Sequence, residues 1–260
     1  MNLFHAGEAG IGYDVIGAGP VVLFSHGFLL NRTMFAAQVD ALKDRYTCIT
    51  WDQRGCGRSD PAVEPYTYWD SARDALALLD FLGVEQAVWV GLSQGGFLSL
   101  RAAILAPHRV RGLALISTRS GLDSPQTVAE FRALDKEWAS NGSTNVQDSL
   151  TRLLLGPGTD PRPWRMSWSQ MTRQALAEPI SALVTRDDLT SRLPEITCPA
   201  VVVHGDLDVA IDVRHGVELA QRLPHARALV RIPGAGHAPP LTHPVEVTET
   251  LESFLSELDP

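Results

Sequence analysis

Gly91-Leu92-Ser93-Gln94-Gly95 places a hydroxyl between two glycines where the character of the chain changes. The apolar run Ala87-Val88-Trp89-Val90 leads into it, and the helix-like stretch from Gly96 to Ala103 follows. Serine is a poor nucleophile at neutral pH. To attack a carbonyl it must be lifted out of regular structure, beside a base and near backbone N–H groups that receive an oxyanion. Small residues on both sides let the chain turn that sharply. The competing possibility is a glycine-rich turn in which Ser93 only caps the next helix. A strand before the serine and a helix after it favour the nucleophile.

A serine held this way needs a sheet beneath it, and the rest of the chain supplies the pattern. Short β-type runs alternate with longer helical patterns, the signature of a mainly parallel sheet with helices on both faces. Strands are expected at Val21–Ser25, Thr47–Trp51, Ala87–Val90, Leu113–Ile116, Ala200–Val203 and Ala228–Ile232. These are continuous apolar runs, as befits strands buried on both faces. Helices are expected at Thr33–Asp44, Trp69–Leu82, Gly95–Ala106, Val213–Arg222 and Pro244–Leu258. In the second, Ala72, Ala75, Leu76, Leu79 and Leu82 fall on one helical stripe. Gly12 to Gly17 has the look of an antiparallel edge hairpin. Between Arg119 and Pro194 the alternation stops, and the stretch reads as a helical insertion over the sheet that returns through Pro199.

Composition narrows the class further. With 260 residues, one domain carrying an insertion is the economical arrangement. Hydrophobic residues at 45% and charged residues at 20% are ordinary for a globular chain. A net charge of -8 without a basic run argues against nucleic-acid or anionic-membrane partners. No apolar stretch reaches the roughly 18 residues of a membrane span. Met1 to Glu8 lacks the basic and apolar blocks of a secretion signal. Cys48, Cys56 and Cys198 have no metal-like spacing and cannot all pair, which fits a reduced, cytoplasmic protein. The histidines lack metal spacing too. Gly17-Ala18-Gly19-Pro20 lacks the third glycine and following helix of a dinucleotide site, so no cofactor is expected.

In an open α/β sheet the working groups gather at the carboxyl ends of the strands. His204-Gly205-Asp206-Leu207-Asp208 follows one expected strand, and Pro233-Gly234-Ala235-Gly236-His237 follows the last. An acid and a base thus come after Ser93, each at the end of its own strand. Two further signatures stand at strand ends: His26-Gly27-Phe28 and Asp52-Gln53-Arg54-Gly55-Cys56-Gly57-Arg58-Ser59. Together, in this order, they make the chain resemble an α/β-hydrolase-fold serine hydrolase over nearly its full length.

That resemblance implies an α/β fold: a mainly parallel eight-stranded sheet with helices on both faces and a helical cap. Residues 1–118 and 195–260 would form the core and 119–194 the cap. It implies Ser93 as nucleophile, His237 as general base and Asp208 as the acid that orients it. Asp206 is a local competitor for the acid and Asp123 a distant one. The backbone N–H groups of Phe28 and Gln94 would form the oxyanion hole. Trp138, Trp164 and Trp168 are candidates for lining an apolar substrate pocket, with core packing as the alternative. Arg162, Arg165 and Arg173 are candidates for binding a substrate carboxylate. His26 reads as a structural residue of the oxyanion loop, His204 as packing at a strand end, and Asp52 to Ser59 as a loop-fixing network. The expected activity is hydrolysis of a small to medium carboxylic ester or lactone through an acyl-enzyme, with no metal or organic cofactor. An enol-lactonase is a specific option within that class. Carbon–carbon bond hydrolysis and cofactor-free perhydrolysis are alternatives on the same fold, and a ligand receptor with little turnover is an alternative of another class.

Overall fold

The computed structural model describes residues 2–7, 9–156, 158–227 and 229–258. Among them are eight strands: β1 (Asn2–Ala6), β2 (Ala9–Ile16), β3 (Val21–Ser25), β4 (Thr47–Trp51), β5 (Ala87–Leu92), β6 (Val110–Ile116), β7 (Ala200–Gly205) and β8 (Val230–Ile232). They form one sheet in the order β1-β2-β4-β3-β5-β6-β7-β8. Pairing of β2 with β1 and with β4 is antiparallel, and the remaining pairs are parallel. The helices are α1 (Ala36–Leu42), α2 (Tyr68–Phe81), α3 (Gln94–Leu105), α4 (Pro125–Asn141), α5 (Gln147–Leu150), α6 (Arg162–Gln170), α7 (Ala177–Val184), α8 (Arg214–Arg222), α9 (Pro239–Thr242) and α10 (Pro244–Leu258). No helix among the described residues is long and apolar enough to cross a membrane.

Two apolar cores lie on opposite faces of this sheet, and the alternation of side chains along each strand assigns residues to them. Val22, Phe24, Val88, Val90, Ala114, Ile116, Val201 and Val203 join one core, with Val39 of α1 and Leu251 and Phe254 of α10. Their strand neighbours Leu23, Ala87, Trp89, Leu113, Leu115, Ala200 and Val202 join the other, with Ala72 and Leu79 of α2, Phe97 and Leu100 of α3, and Leu219 of α8. Strands β3, β5, β6 and β7 therefore bury both faces. Full burial of a Val or Leu side chain is worth about 1.5–3 kcal/mol, which leaves little room for a polar residue in these runs.

Local signals set the element ends. Thr67 accepts the Asp70 N–H and the Asp70 carboxylate accepts the Thr67 N–H, a reciprocal cap that starts α2 at Tyr68. Asn31 caps a 3-10 turn at Arg32–Phe35, so the helix expected from Thr33 begins as that turn and becomes α-helical only at Ala36. The Gly12 to Gly17 hairpin is the second arm of β1–β2, and β2 lies inside the sheet between β1 and β4. In β8 the strand covers Val230–Ile232, Leu229 lies before it, and Ala228 falls outside the described residues.

Between β6 and β7 the described chain is helical and without strands: α4 to α7, a π-helical turn at Thr151–Leu155 and a 3-10 segment at Thr190–Glu195. Its two ends are tied together. The Leu189 N–H donates to the Ser120 carbonyl at 3.1 Å, the Ser120 and Thr190 hydroxyls meet at 3.0 Å, and the Leu113 N–H donates to the Pro199 carbonyl at 2.9 Å.

Candidate active site

Ser93 stands between β5 and α3 with φ 54° and ψ −114°. A non-glycine residue held at positive φ stores strain and must be fixed by its surroundings. Here both of its backbone groups are engaged. The Ser93 N–H donates to the Ile116 carbonyl at 2.9 Å, and its carbonyl accepts from the Thr118 hydroxyl at 2.7 Å and from the Gly96 N–H at 2.8 Å. A methyl group on Gly95 would collide with the Ser25 carbonyl, so the motif's last glycine lets α3 start against the end of β3. The Gln94 N–H opens the helix, where the macrodipole places partial positive charge.

His237 and Asp208 come together from the ends of β8 and β7. The His237 Nδ1 lies 2.9 Å from Asp208 Oδ2 and 3.1 Å from Oδ1. Both side chains are buried. Gly205 permits the approach, since a methyl group there would strike the Ala235 and Gly236 carbonyls of the histidine loop. The Leu207 N–H donates to the Ala235 carbonyl at 2.8 Å, which links the two loops. Asp208 also accepts the N–H groups of Ala210 and Ile211, each at 2.9 Å. Burial by itself would push its carboxyl up. The facing His237, hydrogen bonds from His204 and His237, and the Ile211 N–H outweigh burial and hold it well below the ordinary value of 3.8.

The competitors for the acid are occupied elsewhere. Asp206 pairs with Arg231 at 2.7 Å on the surface of the next strand. Asp123 is buried between Arg119 and Arg186, with an oxygen on each guanidinium.

His204 takes part in a way its position in the sequence does not announce. Its Nε2 lies 2.8 Å from the Ile211 carbonyl and 3.2 Å from Asp208 Oδ2. Two acceptors require that this nitrogen carry the proton, so Asp208 receives a second imidazole N–H. The signal in the sequence is the spacing of four between His204 and Asp208 across a turn that must fold back on itself.

The loop after β3 runs past the serine. The Phe28 N–H and the Gln94 N–H donate to no protein acceptor among the described residues. His26 fixes the start of this loop: its Nδ1 lies 2.8 Å from the Gly27 carbonyl, and its Nε2 accepts the Gln53 N–H at 2.9 Å. The Gln53 side chain donates to the His26 carbonyl at 2.8 Å. Only a neutral imidazole satisfies both contacts. Burial pushes the His26 pKa down, against a smaller upward pull from the Asp52 carboxylate. Above its ordinary value of 6.5 the stability from this arrangement is fully present. Below 6.5 the unfolded chain takes a proton that the native ring refuses, so stability falls until the lowered native pKa is passed. The expected loss is at most about 1.4 kcal/mol per pH unit. Urea denaturation midpoints should fall less steeply below pH 6.5 in His26→Gln than in the parent. His215, also lowered mainly by burial, adds the same sign in both proteins; equal slopes would assign the whole effect to it.

Asp52 organises the segment after β4. It accepts the Arg32 N–H at 2.7 Å, the Arg32 guanidinium at 2.6 Å and the Arg58 N–H at 2.9 Å. This is the loop-fixing network expected there. The three tryptophans sit inside the packing. Trp138 and Trp168 are fully buried and Trp164 nearly so, all within the core that also holds Phe28 and Leu29. The Trp138 indole N–H donates to the Thr172 carbonyl at 3.0 Å and that of Trp168 to the Leu29 carbonyl at 2.7 Å. The candidate carboxylate-binding arginines are turned to their own neighbours: Arg162 to Asp160, Arg165 to Asp148, and Arg173 to the Ser140 carbonyl. Beside the loop lies a cleft of about 580 Å³, lined by Leu29, Leu30, Val63, Met171, Gln174 and Glu178 among others.

A family model described as alpha/beta hydrolase fold matches residues 20–244. The pimeloyl-[acyl-carrier protein] methyl ester esterase of Xanthomonas oryzae pv. oryzae is 32% identical, over 94% of this chain and 98% of that protein. Among solved structures, an esterase from Thermogutta terrifontis superposes with a TM-score of 0.90 at 28% identity, covering 98% of this chain and 96% of that one. An enol-lactonase from Burkholderia xenovorans LB400 superposes with a TM-score of 0.89 at 25% identity, covering 98% and 100%.

Proposed function

The chain belongs to the alpha/beta hydrolase fold family, and from that premise we propose that it is a serine hydrolase cleaving a small to medium carboxylic ester or lactone through an acyl-enzyme. The observation that carries this reading is the strained Ser93 at the start of α3, on the sheet edge where β7 and β8 deliver the bonded pair Asp208 and His237. Ser93 Oγ attacks the carbonyl carbon while the outward nitrogen of His237 takes its proton. The charge forming on the carbonyl oxygen rests on the Phe28 and Gln94 N–H groups. Collapse expels the alcohol, which takes the proton from His237. Water, activated by the same imidazole, then frees the acid from Ser93. Ionised Asp208 holds the imidazole by Nδ1–H and stabilises its charged form.

Residues 119–194 are proposed to act as a cap over this site. In support, Phe131 of α4 meets Phe28 edge-on at 5.8 Å between ring centroids, and Trp168 of α6 bonds to Leu29. The likeness to an enol-lactonase supports a cyclic ester as one substrate type. Three free cysteines fit a reduced cytoplasmic setting.

The test is hydrolysis of p-nitrophenyl esters from acetate to decanoate beside simple aromatic lactones. Turnover that depends on acyl length, or that is confined to lactones, is the expected result. A folded protein that leaves both series intact would shift the assignment to carbon–carbon bond hydrolysis, perhydrolysis or a ligand-receptor role.

A further inference from the structure

We propose that Trp168 is a positioning residue of the oxyanion hole: its indole N–H holds the turn that aims the Phe28 N–H at the reacting oxygen. Its motivation is a coincidence of strain and a long-range bond. Among the described residues, the non-glycine residues at positive φ are Leu29, Ser93 and Ser117. Two of the three flank or form the serine elbow. The third, Leu29 at φ 56°, directly follows Phe28. A leucine in this region is disfavoured by contact between its Cβ and the carbonyl, so something outside the residue must hold it there.

Two contacts do so. The Leu30 N–H donates to the Gly27 carbonyl at 3.1 Å, closing a turn whose third position is Leu29. From 139 residues away in sequence, Trp168 Nε1 donates to the Leu29 carbonyl at 2.7 Å. Donor and acceptor are both buried, so water does not replace the bond when it is lost. Without it the buried Leu29 carbonyl is left unpaired, and the Gly27–Leu30 turn loses the tie that fixes its position and shifts as a body. The Phe28 N–H, on the first peptide of that turn, shifts with it. The helical segment is thereby a working part of the catalytic geometry as well as a cover.

This inference rests on the assignment of Ser93 as nucleophile and the Phe28 N–H as oxyanion donor. Its test separates positioning from packing. Trp168→Phe is expected to lower kcat about tenfold to a hundredfold with KM within about twofold, because misplacing one donor affects the transition state and spares ground-state binding. A trifluoromethyl ketone, which adds to the serine and carries the same oxyanion, should bind weaker by the same factor. Benzothienylalanine at position 168 keeps the ring shape, replaces N–H by sulfur and should reproduce both losses in a protein that melts like the parent. Unchanged kcat in these variants, or a loss confined to KM, would overturn the inference and leave the hydrolase reading standing. Wild-type protein that neither turns over esters nor binds the ketone would overturn both.

Discussion

Ser93→Ala should abolish ester turnover, lowering kcat by about a million-fold, the scale on which removal of the nucleophile disables a serine triad. Melting should be barely affected. The contacts that fix this residue are made by its backbone: N–H to Ile116, carbonyl to Thr118 and Gly96. Alanine keeps all three and has the same Cβ to accommodate at φ 54°. Parallel kinetics and thermal melts therefore separate chemistry from folding. Retained turnover would remove Ser93 from its role, and a collapse in melting temperature with the activity would show the hydroxyl to be structural.

Asp208→Asn is expected to cost about ten-thousand-fold in kcat, as loss of the triad carboxylate does when the amide imposes the wrong imidazole tautomer. The geometry makes the penalty severe here. Two imidazole N–H groups, from His204 and His237, and two backbone N–H groups converge on this carboxylate. An amide offers one oxygen in place of two and brings its own N–H donors against theirs. Asp206→Asn, on a partly exposed carboxylate that serves Arg231, should change kcat by less than about threefold, in the range of other surface ion pairs. The reverse ranking would move the acid to Asp206. Because the native Asp208 carboxyl is held below its ordinary value, its contribution to stability is present above 3.8 and lost as pH falls below that point.

Buried strands were legible because burial on both faces forces apolar runs: Val21–Ser25 and Thr47–Trp51 appear with the bounds that their composition suggests. The edge strand β1 was not. Of its residues Phe4 alone is buried, so Asn2–Ala6 carries no run to recognise. The 3-10 start before α1 was hidden because a helical stripe cannot tell three residues per turn from 3.6 over so short a span. At the site, Ser93, Asp208 and His237 were each marked by a local motif. His204 was not, since its contact with Asp208 exists only after the turn through Ile211 has closed. Tryptophans 138, 164 and 168 were visible as a cluster of large rings, but sequence cannot say which atoms of an indole face a substrate and which face a backbone carbonyl.

The tied ends of the segment between Ser120 and Leu189 have a consequence for how such a chain can diverge. Because hydrogen bonds close its two ends on each other, the stretch is open to lengthening or replacement at positions that do not pack into the core beneath it. Trp168 sets the limit on that freedom. On the role proposed for Trp168, a transplanted cassette lacking a donor for the Leu29 carbonyl is expected to leave a folded protein with Ser93, Asp208 and His237 in place and its turnover lowered, so that a new specificity here would carry one hydrogen bond with it.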